Sequence, residues 1–400
     1  MKTTNCITHF TANKMSTMQA RYVDKKIKEA KNVDIICHDM TDRDGANSAL
    51  AMWEYLKQQG ISARVIISQK KPESLKLRTY DFDMVQASDD EELTKIKPDI
   101  AFCVDFGGSE RVLPNVLKHI NDTPLVMGFD HHSEVDVSRD NFVQFQRTLF
   151  DDEYVATSAN FYSDMSAKSA TCVVYRFFEA LGKEIDNSQA YDLFLGLVDD
   201  IVKRSLVKCD GKNGTITPQK ALIDDKNAYE IFEKLKSKLT QEQIAKIAKD
   251  IDILSSLTKE QEEFKNSLKE KIQYSKNGKI AYLEIKPDDK QWENLGGDNV
   301  VTSRILNNFR QEILADEEFK DVDLVIAFYE AHGNYRLSAH SRNQNLLKFF
   351  KYVEENAIEN FTKNSGGHPT RGGGGINTID KDACSIWVEK IISCDKYFQK

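Results

Sequence analysis

The sequence predicts an α/β protein: an N-terminal parallel-sheet domain and a smaller C-terminal α/β domain, joined by a helical linker. Three observations predict it. In the first half, continuously apolar runs alternate with helical patterns, as strands buried on both faces of a parallel sheet do. A second alternation of the same kind begins near residue 279. Between them lie a stretch rich in turn residues and a long charged helical pattern. The 400 residues leave room for two or three domains of ~150 residues each.

Taken in order, VDIIC (Val33 to Cys37) is a short apolar strand, and a helical stretch runs from about Ala46 to Gln59. ARVII (Ala63 to Ile67), DIAFCV (Asp99 to Val104) and PLVMGF (Pro124 to Phe129) are further strands. Helical patterns cover Ser169 to Leu181 and Ser188 to Val202. Residues 209–228 read as a linker or loop, and 229–274 as a long helical segment with one buried face, either a coiled-coil arm or a helical hairpin. KIAYLEI (Lys279 to Ile285), VDLVIAFY (Val322 to Tyr329) and NYRLSAHS (Asn334 to Ser341) are strands. Helices follow near Val300 to Phe309, Leu346 to Phe361 and from Lys381, with a glycine-dense loop at Ser365 to Gly375. The resulting division is 20–208, 209–278 and 279–400.

Composition narrows the function classes. Hydrophobic residues make up 40% of the chain, enough for real cores. The absence of any run of 18 or more apolar residues excludes a membrane-spanning helix. The opening residues, MKTTNCITHFTANK, lack the apolar stretch of a secretory signal, so the expected compartment is the cytoplasm. Seven scattered cysteines without a C-x-x-C pair suit reduced, mostly buried thiols. A net charge of −8 without a long basic block does not advertise a grip on long polynucleotides. A small phosphorylated substrate remains compatible where cations supply the positive charge.

Four segments place acidic or imidazole side chains in the chemistry-bearing positions of such a fold. His38, Asp42 and Asp44 follow VDIIC as H-x-x-x-D-x-D, Asp105 follows DIAFCV, and Asp130, His131 and His132 follow the next strand. Asp199 and Asp200 lie in a helical pattern. The carboxyl ends of parallel strands are where open α/β sheets assemble their sites. Singly, each residue has a plain explanation as a helix cap, a turn residue or a solvated charge. Together they would crowd carboxylates into an interior that tolerates them only with compensating cations. Mixed carboxylate and imidazole without thiolate suits Mn²⁺ or Mg²⁺, with Fe²⁺, Co²⁺ and Zn²⁺ as alternatives. The number of candidates suffices for two ions ~3.5–4 Å apart, the arrangement that hydrolyses phosphate esters.

These segments resemble the motifs of the DHH phosphoesterase superfamily, whose triplet stands here as Asp130-His131-His132, after His38-x-x-x-Asp42-x-Asp44-Gly45 and the single Asp105. The tail resembles the companion DHHA1 domain, with Ser365-Gly366-Gly367-His368-Pro369 in the place of its glycine-rich loop. The resemblance implies a DHH catalytic domain, a DHHA1-like substrate-binding domain and two divalent ions, Mn²⁺ first with Mg²⁺ or Co²⁺ as alternatives. It implies one ion on His38, Asp42 and Asp105, and the other on Asp44, Asp105, His131 and Asp200. Asp199 is the alternative to Asp200 if the register slips by one. His132 would face the substrate phosphate, and Asp130 would accept a hydrogen bond from a liganding imidazole.

The resemblance also turns the glycine-dense loop from a plain surface loop into a phosphate cradle, with Gly366, Gly367, His368 and Arg371 as its parts. Where the family's strand ends S-x-R-S, this chain reads Ser338-Ala339-His340-Ser341, then Arg342. His340 or Arg342 is therefore expected to take over the missing arginine's contact, or the substrate differs. The implied activity is that of a metal-dependent phosphohydrolase of the phosphodiesterase or exonuclease type, acting on short oligonucleotides, dinucleotides or bisphosphorylated nucleotides, with an oligomeric state up to a homodimer. The alternatives are a RecJ-like single-strand exonuclease, an inorganic pyrophosphatase and a catalytically inactive nucleic-acid-binding scaffold. A metalloprotease would want an H-E-x-x-H helix that the chain lacks.

Overall fold

The computed structural model describes residues 15–399 apart from 40, 69–74, 76, 80, 108–110, 133–154, 158–160, 165, 205, 256, 286–298, 332–333, 343–345, 362–364, 368–369 and 377. The chain forms two units, Met1–Ile253 and Leu254–Lys400. In the first, strands β1 (Asn32–Cys37), β2 (Ser62–Ile67), β3 (Met84–Gln86), β4 (Ile100–Val104), β5 (Leu125–Asp130), β6 (Val155–Thr157) and β7 (Phe161–Asp164) make one sheet. Its order is β3-β2-β1-β4-β5-β7-β6, parallel except for β6 against β7. The central strands are buried along nearly their whole length because helices cover both faces.

One face carries the larger core. Helices α1 (Thr17–Glu29), α2 (Arg43–Gln58), α5 (Ala170–Ala180) and α6 (Asn187–Lys203) bury Ala20, Tyr55, Phe177 and Phe194 against Ile35, Phe102 and Phe129. The other face packs α3 (Asp90–Thr94) and α4 (Pro114–Asp122) over Ile36, Ile66 and Cys103. The order of the strands reverses between β1 and β4, which opens a crevice at their carboxyl ends. The register pairs Cys37 with Val104 and Val104 with Phe129, so the residues that follow these three strands emerge side by side.

The segment read as linker and charged arm is shared between the two cores. Residues 207–218 form a hairpin of β8 (Val207–Asp210) and β9 (Thr215–Pro218). Helices α7 (Lys220–Asp224), α8 (Lys226–Ser237) and α9 (Gln241–Ser255) bury Leu222, Phe232, Ile247 and Ile251 in the first unit's core. Helix α10 (Lys259–Ser267) instead gives Phe264 to the second unit. The apolar positions of this segment, at helical spacing, hold more apolar surface than a free arm would leave in water.

The second unit has a sheet ordered β10-β11-β12-β13-β15-β14, from β10 (Gln273–Tyr274), β11 (Ile280–Ile285), β12 (Leu324–Ala331), β13 (Asn334–Ser341), β14 (Ser365–Gly367) and β15 (Arg371–Ile376). Only β11 and β12 run parallel. Helices α10 and α11 (Asn299–Ala315) cover one face, and α12 (Leu346–Asn356) and α13 (Lys381–Ile392) the other. The glycine-dense segment is therefore mostly strand rather than loop. Gly375 shows the reason: a Cβ there would stand 2.8 Å from the Tyr335 carbonyl oxygen, so only glycine lets the two strands approach. No described helix is long and apolar enough to cross a membrane, and the described cysteines are free thiols.

Candidate metal centre

Three strand ends and two helices build the site. His38 leaves β1, Asp105 leaves β4, and Asp130 closes β5 ahead of His131 and His132. Asp105 has φ +65°, a left-handed conformation that a non-glycine residue adopts at a cost, and it turns the carboxylate back over the strand ends. Its main-chain N–H donates to the Phe129 carbonyl at 3.0 Å, which anchors the turn.

Asp42 caps α2, its Oδ1 accepting from the N–H groups of Asp44 and Gly45 at 3.0 and 3.2 Å. Asp44, on the first turn of the same helix, accepts from the N–H groups of Ala170 and Thr171 at the start of α5, at 2.6 and 3.0 Å. Asp200 rides on α6. Gly196 lets that helix in, since a Cβ there would stand 2.5 Å from Thr171 Cγ2.

The six residues expected to ligate come together. Ligand atoms of His38, Asp42 and Asp105 lie within 4.8 Å of one another, as do those of Asp44, His131 and Asp200. Asp105 faces both sets, with Oδ2 3.4 Å from His38 Nε2 and Oδ1 3.2 Å from His131 Nε2. His131 Nε2 is also 3.6 Å from Asp44 and 3.7 Å from Asp200. Apart from the partly exposed rim at Asp42, these side chains are buried.

Electrostatics mark the place as short of positive charge. Burial, then the charges of Asp105, Asp200 and Asp42, push the Asp44 carboxyl well above its ordinary range. Burial disfavours a charged His38, but the carboxylates of Asp105 and Asp42 outweigh it and hold its pKa up at about 9. His38 Nδ1 is buried with no hydrogen-bond partner among the described residues. A cluster of acids with imidazole nitrogens turned among them fits divalent cations of the Mn²⁺ or Mg²⁺ kind.

One detail differs from expectation. Asp130 Oδ1 accepts from the His131 main-chain N–H at 2.7 Å and sits 2.8 Å from His132 Nδ1, so it orients His132 rather than the imidazole expected to ligate. Asp199, the alternative to Asp200, is tied up by Arg43 and by Lys203 Nζ at 2.6 Å. The second unit sorts the remaining expectations. His340 and Arg371 are direct cross-strand partners, and Gly366 and Gly367 lie in β14. His368 lies outside the described residues. Arg342 turns away from the expected contact, donating to the carbonyls of Val322 and Phe319 at 3.1 and 3.0 Å, where it staples a loop.

Reading the sequence overlooked the basic partners of the acids. Lys203 Nζ lies 2.9 Å from Asp42 Oδ2 and 3.3 Å from Asp200 Oδ1, and Arg204 lies 3.0 Å from Asp200. Their spacing of three and four residues from Asp199 and Asp200 on one helix was a usable signal. Arg111 stands close enough to oppose protonation of both His38 and His132, and nothing in its local sequence announces it.

Residues 32–198 match the model of the DHH family, N-terminal domain. The chain resembles the crystal structure of an exopolyphosphatase-related protein from Bacteroides fragilis, with a TM-score of 0.68 at 14% identity, covering 97% of this chain and 100% of that one. It also resembles RecJ in complex with Mn²⁺ from Thermus thermophilus, with a TM-score of 0.47 at 14% identity, over 96% of this chain and 55% of that one. No curated protein matches the chain. Residues 32–198, a segment that ends within α6, carry a DHH family N-terminal domain, with His38, Asp42, Asp44, Asp105 and His131 gathered at one crevice.

Proposed function

We propose that the protein is a two-metal-dependent phosphoesterase acting on short nucleotidic substrates, such as short oligonucleotides, dinucleotides or bisphosphorylated nucleotides. The observation that carries the reading is Asp105, whose two oxygens each face a separate set of ligand atoms. One set, His38 and Asp42 with Asp105, would hold one ion; Asp44, His131 and Asp200 with Asp105 would hold the other. When bound, a pair of such cations neutralises phosphate oxygens and makes water a better nucleophile near neutral pH.

The remaining residues serve the substrate. His132, 18% exposed in its side chain, is the imidazole of the triplet open to an incoming phosphate. Burial opposes its charge, but Asp130 and then Asp105 outweigh burial and raise its pKa. Its Nδ1 sits 2.8 Å from Asp130, which orients the ring as a proton donor to a phosphate oxygen or a leaving oxygen. The acidic net charge of −8 favours small substrates over long strands. The second unit is assigned the grip on a further phosphate, through Arg371 and His340.

The test is a Mn²⁺-supported hydrolysis panel of labelled di- to decanucleotides, cyclic dinucleotides, bisphosphorylated adenosine, polyphosphate and pyrophosphate. Mononucleotide release from the shortest substrates, abolished by a chelator, is the expected outcome. Preference for long single strands, or for polyphosphate, would overturn the substrate assignment. Asp105→Asn should reduce turnover roughly 100-fold or more, beyond the ~10–100-fold typical of groups that merely support ligands. Unchanged turnover would remove Asp105 from the centre.

A further inference from the structure

The ligand atoms of Asp42, Asp199 and Asp200 lie within 4.8 Å of one another, a third acidic set at the edge of the metal centre. Lys203 sits against all three. Its Nζ is 2.9 Å from Asp42 Oδ2, 2.6 Å from Asp199 Oδ2 and 3.3 Å from Asp200 Oδ1. Arg43 pairs with the other oxygen of Asp199, and Arg204 lies 3.0 Å from the other oxygen of Asp200. Asp42 Oδ1 is engaged as the cap of α2, so Oδ2 is its less committed oxygen, and Lys203 holds it.

Two of these acids belong to different ligand sets. Asp42 stands with His38 and Asp105, and Asp200 stands with Asp44 and His131. Lys203 thus bridges the two sets at the rim, as Asp105 bridges them in the interior; their side chains are 32% and 3% exposed. An ammonium and a divalent cation drawn to the same carboxylates repel each other at such close range. Lysine suits a cation that gives way, being a compact charge on a flexible four-carbon stem. Arg43 and Arg204, 11% and 14% exposed, have less room to leave.

We propose that Lys203 is the built-in counter-cation of this centre, holding Asp42 and Asp200 when no divalent ion is bound and displaced from them when the ions load. It thereby weakens divalent-ion affinity and stabilises the ion-free fold. The inference rests on the metal centre proposed above. A strut that merely holds Asp42 and Asp200 ready for the ions has the opposite sign, because its removal weakens binding.

The experiment is calorimetric titration of the chelator-treated, dialysed full chain with Mn²⁺, together with melting curves. Lys203→Met should tighten Mn²⁺ binding roughly three- to tenfold, a modest gain because the lysine is partly exposed and its pairing partly screened. The melting temperature without Mn²⁺ should fall, and its rise on adding Mn²⁺ should exceed that of the wild type. Lys220→Met, at an 87% exposed side chain of α7, removes one charge elsewhere and should leave the affinity unchanged. If Lys203→Met does not fold, Lys203→Gln carries the same titration. Unchanged or weaker binding in the folded variant, while the wild type binds Mn²⁺, overturns the role of Lys203 alone. Equal tightening by Lys220→Met overturns it too, as an effect of net charge. A wild type that binds no Mn²⁺ overturns the metal centre and this inference with it. Tighter Mn²⁺ binding in Lys203→Met, with no hydrolysis of any substrate by the wild type, refutes the phosphoesterase reading alone.

Discussion

Asp105 and Asp200 show how much single positions decide in this chain. The carboxylate of Asp105 is split between two imidazoles by a left-handed backbone turn. Asp200 faces His131 and Asp44, whereas its neighbour Asp199 is neutralised by Arg43 and Lys203. Asp200→Asn should therefore cut Mn²⁺ affinity roughly tenfold or more, and Asp199→Asn should do clearly less. Calorimetry with Mn²⁺ on both variants decides it, and the reverse ranking would shift the fourth-motif register by one. His340 makes a pH prediction. Burial and the nearby Arg310 and Arg371 depress its pKa from 6.5 to about 4. A depressed histidine is neutral in the fold and charged in the unfolded chain just below pH 6.5. Stability is thus complete above that pH and falls between pH ~6.5 and ~4, by at most about 1.4 kcal/mol per unit. His340→Asn should flatten this part of the profile; an unchanged acid slope in urea unfolding would contradict the assignment.

At the scale of elements, helix ends do the positioning. Asp42 caps α2 and Asp44 accepts the first N–H groups of α5, so residues expected to ligate also fix where two helices begin. Helix α6 approaches α5 only because Gly196 has no side chain to strike Thr171. Gly196→Val should cost about 1–3 kcal/mol through overpacking and weaken Mn²⁺ binding by moving Asp200. Urea unfolding combined with a metal titration reads both effects. A variant as stable as wild type with unaltered Mn²⁺ affinity would show that the helix contact does not place the acid.

For the whole molecule, the proposed metal centre predicts that divalent cations stabilise the fold. Mn²⁺ that binds the folded state alone should stabilise it by about 2.7 kcal/mol at a hundred times its dissociation constant. The melting temperature should rise with Mn²⁺ and return when a chelator is added. A melting temperature indifferent to millimolar Mn²⁺ would mean that the cluster is compensated by Lys203, Arg204 and Arg43 instead.

Much of this was open to reading from residue order alone. Apolar runs and helical spacing located β1, β2, β4, β5 and β11 to β13 to within a residue or two at most ends, because burial on both faces leaves a continuous signal. Short motifs at strand ends pointed to His38, Asp42, Asp44, Asp105 and His131, because parallel sheets expose chemistry where their strands stop, whereas Asp200 on its helix was picked out by the family resemblance. Other features arose only when distant segments met. The glycine-dense stretch reads as loop, yet it pairs as two strands, and at Gly375 the neighbouring strand leaves no room for a side chain. The residues from 209 to 278 read as a connector, yet their apolar positions complete two cores. Nothing in the local pattern around Arg310 marks it out, and only packing buries it near Tyr329 and Arg371.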